Sequence, residues 1–199
     1  NEGFPSDRII NIGSPMKEVL SYYMPEIKKS NILSKLNIET NNYFLVSCHR
    51  EENVDDSNRF KKLISSLNYL VKKYNLPIIF PIHPRTRKQY NNSGLKLDTL
   101  VKLIEPLGFL DYNKLQMQSK AVLSDSGTIF EESSILKFRA LNIRDSHERP
   151  EAMEETTVIM TGTNFERIIQ SIELVKSQNM SEVLIDVDDY KSTNISSKV

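Results

Sequence analysis

The sequence predicts an α/β domain with a Rossmann-like parallel sheet that carries helices on both faces. Short apolar strands alternate along the chain with segments whose apolar residues recur at helical spacing. Strands separated by helices of this length form right-handed βαβ units, and such units build a parallel sheet covered on both sides. In addition, four polar clusters each follow a predicted strand directly, as is typical of this fold class.

The predicted strands are short runs of β-branched and aromatic residues. Pro77 and Pro81 fit the ends of the second run better than its middle, because proline cannot donate a hydrogen bond to a neighbouring strand. From first to last, the predicted strands cover residues 43–47, 77–82, 100–104, 121–124, 139–143 and 157–161.

The predicted helices lie between these strands. In the longest of them the apolar residues from Phe60 to Tyr74 fall at helical spacing, which indicates an amphipathic helix. Asn164 is placed to cap the last one. The predicted helices cover residues 58–74, 112–119, 128–136 and 164–177, with a helical turn or two over residues 150–155.

Length and composition narrow the classes of function. The chain has 199 residues, enough for one domain or for one domain with an appendage, and it opens at Asn1 in an expected loop, so we expect it to be part of a longer protein. Lys plus Arg and Asp plus Glu both number 26, which argues against a nucleic-acid or membrane-surface binder and makes any phosphate site local. Cys48 is the single cysteine, which excludes an internal disulfide and fits a cytoplasmic location. We find no signal peptide and no apolar run long enough to cross a bilayer.

The four polar clusters are expected to meet at one edge of the sheet. In a parallel sheet the carboxyl ends of all strands lie along the same edge, and ligands bind in the crevice there. The histidines His49, His83 and His147 all fall within these clusters, although each taken alone is equally compatible with a solvated loop histidine. The clusters cover residues 48–53, 83–85, 125–128 and 144–150.

Ser126, Gly127 and Thr128 form the candidate phosphate cradle. Glycine lets the backbone approach a ligand closely, and the helix that follows presents free N–H groups and the positive end of its dipole. The equally compatible alternative is an ordinary helix start, in which Thr128 and Glu131 form a capping box. Glu132 is a candidate acceptor for ribose hydroxyls or, alternatively, a solvated carboxylate on the helix face.

Arg50, Arg85 and Arg149 are candidate anion binders, because a guanidinium matches phosphate oxygens. For each of them the alternative is a surface ion pair with a neighbouring glutamate. His49 is a candidate acid, base or diphosphate donor at neutral pH. A Cys48–His49 nucleophile is disfavoured, since adjacent residues on an extended chain point to opposite faces, and a packed thiol is the better interpretation. The histidines show no recognised ligand spacing, so we expect no metal site.

Three motifs of the chain resemble those of the non-hydrolysing UDP-N-acetylglucosamine 2-epimerase family, and they occur in the family's order. Residues 13–16 are similar to the interdomain segment of that family. Thr128 and residues 147–151 are most similar to capsule and O-antigen members, which resemble UDP-N-acetyl-L-fucosamine synthases acting at C2 of a UDP-2-acetamido-2,6-dideoxy-L-talose intermediate. The three motifs cover residues 47–53, 124–132 and 144–152.

The resemblance implies a two-domain fold of the glycosyltransferase-B type, of which this chain is the C-terminal half that holds UDP. It divides the chain into an interdomain segment with the first helix (1–24), the Rossmann-like UDP-binding domain (25–185) and a tail leading to a missing final helix (186–199). The implied partners are a UDP-sugar substrate, the missing N-terminal domain and, at full length, further copies of the same chain. The resemblance implies no cofactor, while nucleic acid and membrane are disfavoured by the charge balance and by the lack of a long apolar run.

The resemblance also implies roles for single residues. They face a cleft between the two domains, where UDP is held. The residues implied to contact the diphosphate are Ser126, Gly127, Thr128, Arg149 and the catalytic candidate His49. Glu132 is implied to bind the ribose, and residues 107–112, including Tyr112, are implied to lie on the uracil side. Arg50 and His83 are implied to contact a second, activating UDP-sugar.

The implied reaction is an elimination followed by a re-addition. A base removes the C2 proton, UDP leaves to give a glycal, and UDP returns after C2 has exchanged its face, without a nicotinamide. In the family the carboxylates that move the C2 proton come chiefly from the N-terminal domain, so we expect this chain alone to bind UDP weakly and not to epimerise. Two other functions fit the same residues: a glycosyltransferase of the same fold with a UDP-sugar donor, and a non-catalytic UDP-sugar sensing module.

Overall fold

The part of the chain that the structure describes contains one six-stranded parallel sheet. The computed structural model describes residues 13–144, 158–177, 190 and 194–198. Every pair of neighbouring strands in the sheet is parallel. The strands are β1 (Phe44–Ser47), β2 (Ile78–Pro81), β3 (Val101–Ile104), β4 (Ala121–Ser124), β5 (Ala140–Asn142) and β6 (Val158–Met160), and their order across the sheet is β3-β2-β1-β4-β5-β6.

The strand order reverses between β1 and β4, in the middle of the sheet. Ser47 pairs with Ser124 across these two strands, so the loops that begin at Cys48 and Asp125 leave the sheet side by side. In a doubly wound sheet the connections diverge to opposite faces at this switch point and open a crevice between them. The topology therefore selects one place along the sheet edge for a ligand.

Helices pack on both faces of this sheet. A short 3₁₀ turn covers Ile195–Ser197. The helices of the described residues are α1 (Met16–Lys29), α2 (Ile32–Leu36), α3 (Glu51–Val54), α4 (Ser57–Tyr74), α5 (Pro84–Ser93), α6 (Phe109–Gln118), α7 (Ile129–Leu136) and α8 (Phe165–Ser177). None of these helices is long and apolar enough to span a lipid bilayer.

The two faces of the sheet carry separate apolar cores. On one face, α4 and α8 bury Leu67 and Ile172 together with Phe80 of β2. On the other face, α1 and α6 bury Leu20 and Leu115. Each fully buried side chain of this size stabilises the fold by roughly 1.5–3 kcal/mol, so the apolar stripes fix the helices against the sheet. The prediction of helices on both faces is confirmed.

The predicted strands are confirmed to within one residue at each end, and three of the predicted helices agree equally well. The helix expected over residues 112–119 begins earlier, at Phe109, directly after Gly108. Helices α2, α3 and α5 were not predicted. In α5 only Thr86 is buried, so no apolar stripe marks the helix, although Pro84 at its first position is a common start signal.

The starts of α4 and α7 differ in how their first turns are capped. Asp56 caps α4 by accepting hydrogen bonds from the backbone N–H groups of Asn58 at 2.8 Å and Arg59 at 3.0 Å. The alternative interpretation of Thr128 and Glu131 as a capping box is not observed, because the Thr128 side chain makes no cap hydrogen bond. Glu131 is instead buried and accepts a hydrogen bond from the hydroxyl of Ser14.

One expected boundary lies inside helix α1, and several other expectations concern residues outside the described part of the chain. The domain boundary expected after residue 24 falls inside α1, which runs without interruption from Met16 to Lys29 and packs on α6 and α7. The helical turn expected over residues 150–155 and the candidate anion binder Arg149 lie outside the described residues. Most of the tail 186–199 lies outside them as well.

Candidate functional site

The site is built around Asp125, the first residue after β4. Its side chain is fully buried and accepts hydrogen bonds from the backbone N–H groups of His49 at 3.0 Å and Arg50 at 2.9 Å. Asn53 donates its side-chain amide to the same carboxylate at 3.3 Å. A buried carboxylate is tolerated when N–H groups satisfy it in this way. Asp125 therefore joins the β1 loop to the β4 loop across the switch point, and we call its hydrogen bonds with His49, Arg50 and Asn53 the clasp.

The loop after β5 joins the same cluster. Asn53 also donates to the backbone carbonyl of Ile143 at 3.2 Å, so one buried amide bridges two loops. The guanidinium of Arg144 donates to Glu52 at 2.7 Å, and Arg144 is only 6% exposed. Three strand ends, those of β1, β4 and β5, are thus held together by polar contacts.

His49 stands at the solvent side of this clasp. Its Nδ1 lies 3.4 Å from the Asp125 carboxylate, and its side chain is 42% exposed. Because a carboxylate only accepts hydrogen bonds, the neutral ring favours its proton on Nδ1 and leaves Nε2 free of that contact on the far side of the ring. His83 is adjacent, with 6.0 Å between the two ring centroids. A cavity of about 160 Å³ between these loops is lined by Ser47, Cys48, His49, Pro81, His83, Pro106, Leu107 and Tyr112.

The two basic residues near His83 and His49 lie in different surroundings. The guanidinium of Arg85 pairs with Glu51 at 2.6 Å and with Asp55 at 2.7 Å, so of the two interpretations the surface ion pair is the one observed. Hydrogen bonds to Asp55 and then to Glu51 raise the pKa of Arg85 above its ordinary value. Arg50 is half-buried beside His49 and is fixed through its backbone N–H to Asp125.

The candidate phosphate cradle forms a tight turn between β4 and α7. The hydroxyls of Ser126 and Thr128 lie 2.9 Å apart, and the backbone N–H of Thr128 donates to the Ser126 hydroxyl at 3.3 Å. Gly127 is not among the residues with positive φ, so the backbone conformation does not require glycine there. A glycine has no side chain, so a ligand can approach the backbone of this turn closely.

Glu132 lies one turn into α7, and two donors already hold its carboxylate. The Thr128 hydroxyl donates to one oxygen at 2.8 Å, and the side-chain amide of Gln116 donates to the other at 2.5 Å. Burial, with a further contribution from the charge of Glu132, raises the pKa of Tyr112, while hydrogen bonds with Ser47 and Gln116 act in the opposite direction. The phenol therefore stays neutral at physiological pH.

The Cys48 thiol is packed in the core, although Cys48 is also one of the residues that line the cavity beside His49. It is 2% exposed, and burial, followed by the charge of Asp125, raises its pKa well above the ordinary value. A thiol that stays protonated is a poor nucleophile, in agreement with the interpretation of Cys48 as a packed side chain. Its backbone carbonyl accepts a hydrogen bond from the hydroxyl of Thr86 at 2.7 Å, which ties α5 to the β1 loop.

The structure brings most of the predicted site residues to one crevice and adds others. Asp125 lies inside a predicted cluster and directly after an apolar strand, but no role was predicted for it. Gln116 was not singled out, and no pattern separates it from Gln118 two residues later. Within the described ranges no group of three or more His, Cys, Asp and Glu side chains could hold a metal ion. The predicted residues found along the crevice are His49, Arg50, His83, Tyr112, Ser126, Gly127, Thr128 and Glu132.

Fold and site together define a class of protein. A doubly wound parallel sheet whose polar side chains converge at the switch point is the architecture of Rossmann-type ligand-binding domains. The anion-compatible helix start of α7 lies at this point, next to a histidine that a buried carboxylate orients.

Comparison with known proteins gives the family. The sequence model described as UDP-N-acetylglucosamine 2-epimerase matches residues 1–199, and the chain belongs to this family. A UDP-N-acetylglucosamine 2-epimerase from Methanococcus maripaludis is 34% identical over 186 residues, which is 89% of this chain and 50% of that protein. The chain thus spans about half the length of the curated relatives it matches.

Solved structures agree in fold. The UDP-N-acetylglucosamine 2-epimerase from Rickettsia bellii superimposes with a TM-score of 0.87 at 42% identity, covering 99% of this chain and 53% of that one. The enzyme from Methanocaldococcus jannaschii, solved in complex with UDP-GlcNAc and UDP, superimposes with a TM-score of 0.82 at 32% identity. The match covers 90% of this chain and 51% of that one. These neighbours have the glycosyltransferase-B type of fold, and the predicted fold class is confirmed.

Proposed function

We propose that this chain is the UDP-binding half of a UDP-sugar 2-epimerase that inverts C2 of a UDP-2-acetamido sugar. The observation that carries the proposal is the convergence of His49, residues 126–128 and Glu132 on the switch point between β1 and β4. Membership of the family supports it, as does a relative that binds UDP-GlcNAc and UDP. The other half of the relatives' length would supply the rest of the active site.

The turn of residues 126–128 is the proposed diphosphate site. It combines two hydroxyls, a glycine without a side chain and the N-terminal N–H groups of α7, whose dipole favours negative charge. Glu132 is placed one turn further along the helix and is the proposed acceptor for the ribose hydroxyls. Arg149 is proposed to face the phosphates from the loop after β5.

His49 is the proposed group that stabilises departing UDP. The C2 proton is removed by a base, the bond between C1 and the diphosphate oxygen breaks, and its electron pair goes to the diphosphate. With Nδ1 held near Asp125, a protonated ring presents Nε2–H to the oxygen on which charge develops. Re-addition of UDP to the glycal reverses these steps after C2 has exchanged its face. The carboxylates that move the C2 proton are proposed to come from the other half, so this chain alone would bind UDP without epimerising.

We propose further ligand contacts for residues in and near the cavity beside His49. Tyr112 and residues 107–112 would lie on the uracil side, and Leu107 and Tyr112 both line the cavity. Arg50 and His83 are proposed to contact a second, activating UDP-sugar, and the short distance between the His49 and His83 rings supports a shared anionic ligand. The substrate is proposed to be of the UDP-2-acetamido-2,6-dideoxy-L-talose type, used for capsule or surface polysaccharide in the cytoplasm by a homo-oligomeric protein.

Titration calorimetry with UDP tests the binding part of the proposal. We expect the chain to bind UDP and the Glu132→Ala variant to bind it roughly tenfold more weakly, because a charged hydrogen-bond acceptor is lost. Lys72→Ala, on the exposed end of α4, is the matched control and should leave binding unchanged. No heat of binding with UDP at millimolar concentration would contradict the proposal.

Isotope exchange tests the reaction. The chain, joined to the polypeptide that supplies the other half, is incubated with candidate UDP-2-acetamido sugars in heavy water, and deuterium at C2 is followed by NMR. Exchange together with a C2-epimeric product supports epimerisation, and the rates rank UDP-GlcNAc against the 6-deoxy-talose substrate. Release of free UDP that depends on an acceptor sugar, without exchange, would support a glycosyltransferase instead. Turnover by this chain alone would refute the proposed division between the two halves.

A further inference from the structure

We propose that Gln116 is a positioning residue that fixes the orientation of the Glu132 carboxylate for a ribose diol. The inference rests on the proposed function, because it deepens the part in which Glu132 accepts hydrogen bonds from the ribose. Gln116 lies on α6 and Glu132 on α7, so the contact joins two separate elements of the fold. The same side chain also interacts with the phenol of Tyr112, which lies on the proposed uracil side.

The carboxylate of Glu132 is held from two directions. Gln116 Nε2 donates to Oε2 at 2.5 Å, and Thr128 Oγ1 donates to Oε1 at 2.8 Å. Gln116 is fully buried, and its own helix is packed into the core, so this donor cannot swing away as an exposed side chain would. One donor on each oxygen fixes both the position of the carboxylate and the plane in which it lies.

The two occupied oxygens still have room for a diol. An ionised carboxylate offers about four lone-pair sites, of which Gln116 and Thr128 use two. One site on each oxygen remains, and these two sites match the two adjacent hydroxyls of a ribose. Because the plane of the carboxylate is set before the ligand arrives, the diol does not have to order it on binding.

The buried amide of Gln116 is costly to the fold, which favours a functional role. Both carboxylate oxygens accept only, so the amide nitrogen has to face Glu132 and the amide oxygen faces elsewhere. That oxygen, Oε1, is buried and lies within ordinary hydrogen-bond geometry of no donor among the described residues, although the Gln116 side chain also interacts with the Tyr112 phenol. An apolar side chain of similar size would avoid this unsatisfied acceptor, so packing alone does not account for a glutamine here.

The test compares two ligands that differ only in the diol. Dissociation constants for UDP and for 2′,3′-dideoxy-UDP are measured by calorimetry on the full chain and on Gln116→Met, which keeps the volume and removes the donor. We expect the variant to bind UDP roughly tenfold more weakly and the dideoxy ligand nearly as the parent chain does, so that the preference for the diol is lost. Lys114→Met, a half-buried position on the same helix that makes no contact with Glu132, is the matched control and should keep the preference.

Each outcome bears on a different claim. If the parent chain binds neither ligand, the proposed function fails. If the parent chain binds UDP and Gln116→Met retains the full preference for the diol, the function stands and the positioning role is wrong. A partly unfolded variant changes the measured stoichiometry but not the ratio of the two constants, so a structural effect is recognised as such.

A measurement on the unmodified chain covers the case in which the variant does not fold. The side-chain amide protons of Gln116 are assigned by NMR and followed during titration with each ligand. Saturation with UDP is expected to shift these protons, because the carboxylate they contact then accepts two further hydrogen bonds, whereas the dideoxy ligand leaves them in place. Equal shifts with both ligands would overturn the proposal.

Discussion

Asp125 and Asp56 make the same kind of contact in opposite surroundings. Each carboxylate accepts hydrogen bonds from two backbone N–H groups, Asp125 inside the crevice and Asp56 at the exposed start of α4. Water can replace the Asp56 side chain, whereas the N–H groups below Asp125 would be left without an acceptor. The comparison teaches that burial, rather than the number of hydrogen bonds, decides how much of the fold depends on a charged residue.

The largest expected effect follows from removing the buried acceptor. Asp125→Ala should lower the free energy of unfolding by about 3 kcal/mol, because two backbone N–H groups and the Asn53 amide lose their acceptor in a dry site. Urea denaturation followed by circular dichroism measures the change. Asp56→Ala is the matched control. A loss at Asp125 no greater than that at Asp56 would mean that water enters the clasp and that the comparison fails.

Removing a buried contact between neutral groups is expected to destabilise the fold less than removing Asp125 and more than removing Asp56. Thr86→Val keeps the shape of the side chain and leaves the Cys48 carbonyl without its donor, so unfolding should become easier by about 1–2 kcal/mol. Thr86→Ser, which retains the hydroxyl, should recover most of that loss in the same denaturation experiment. A neutral result for Thr86→Val would show that a single buried carbonyl at this edge tolerates desolvation.

The exposed ion pairs of Arg85 are expected to matter less than either buried contact. Arg85→Ala removes the pairs with Glu51 and Asp55, all of them well exposed, and should change Tm only slightly. The remaining difference should vanish in about 1 M salt, where the screening length is near 3 Å. A large, salt-insensitive drop in Tm would indicate that these charges are shielded from solvent after all.

The smallest effect is a dependence on pH at Asp56. The backbone N–H of Arg59, with that of Asn58, lowers the pKa of Asp56 in the folded chain. A lowered pKa gives stability that is fully present above about pH 4 and is lost as the pH falls through the folded value. The parent chain should therefore exceed Asp56→Ala in stability at pH 7, and the difference should shrink as the pH falls below about 4. A difference that persists in acid would assign the effect to something other than the ionised cap.

The parts of the fold that the sequence predicted are those with a repeating pattern. The stripe from Phe60 to Tyr74 marked α4 within one residue, whereas α5 has only Thr86 buried and therefore lacked any stripe. The crevice followed from topology, because parallel strands place all their carboxyl ends at one edge. The contacts of Asp125 with the N–H groups of His49 and Arg50 were beyond prediction, since the direction of a backbone group depends on the path of its loop. Gln116 was missed for a related reason, because its contact with Glu132 joins two helices.

The buried Cys48 thiol determines how the chain can be labelled at chosen sites. It is the single cysteine of the chain, and it combines almost no exposure with a raised pKa. Alkylating reagents react with the thiolate, so the Cys48 sulfur is expected to remain unmodified while a cysteine introduced at an exposed position such as Lys72 is labelled. Fluorophores or spin labels can therefore be attached one at a time without first engineering the background.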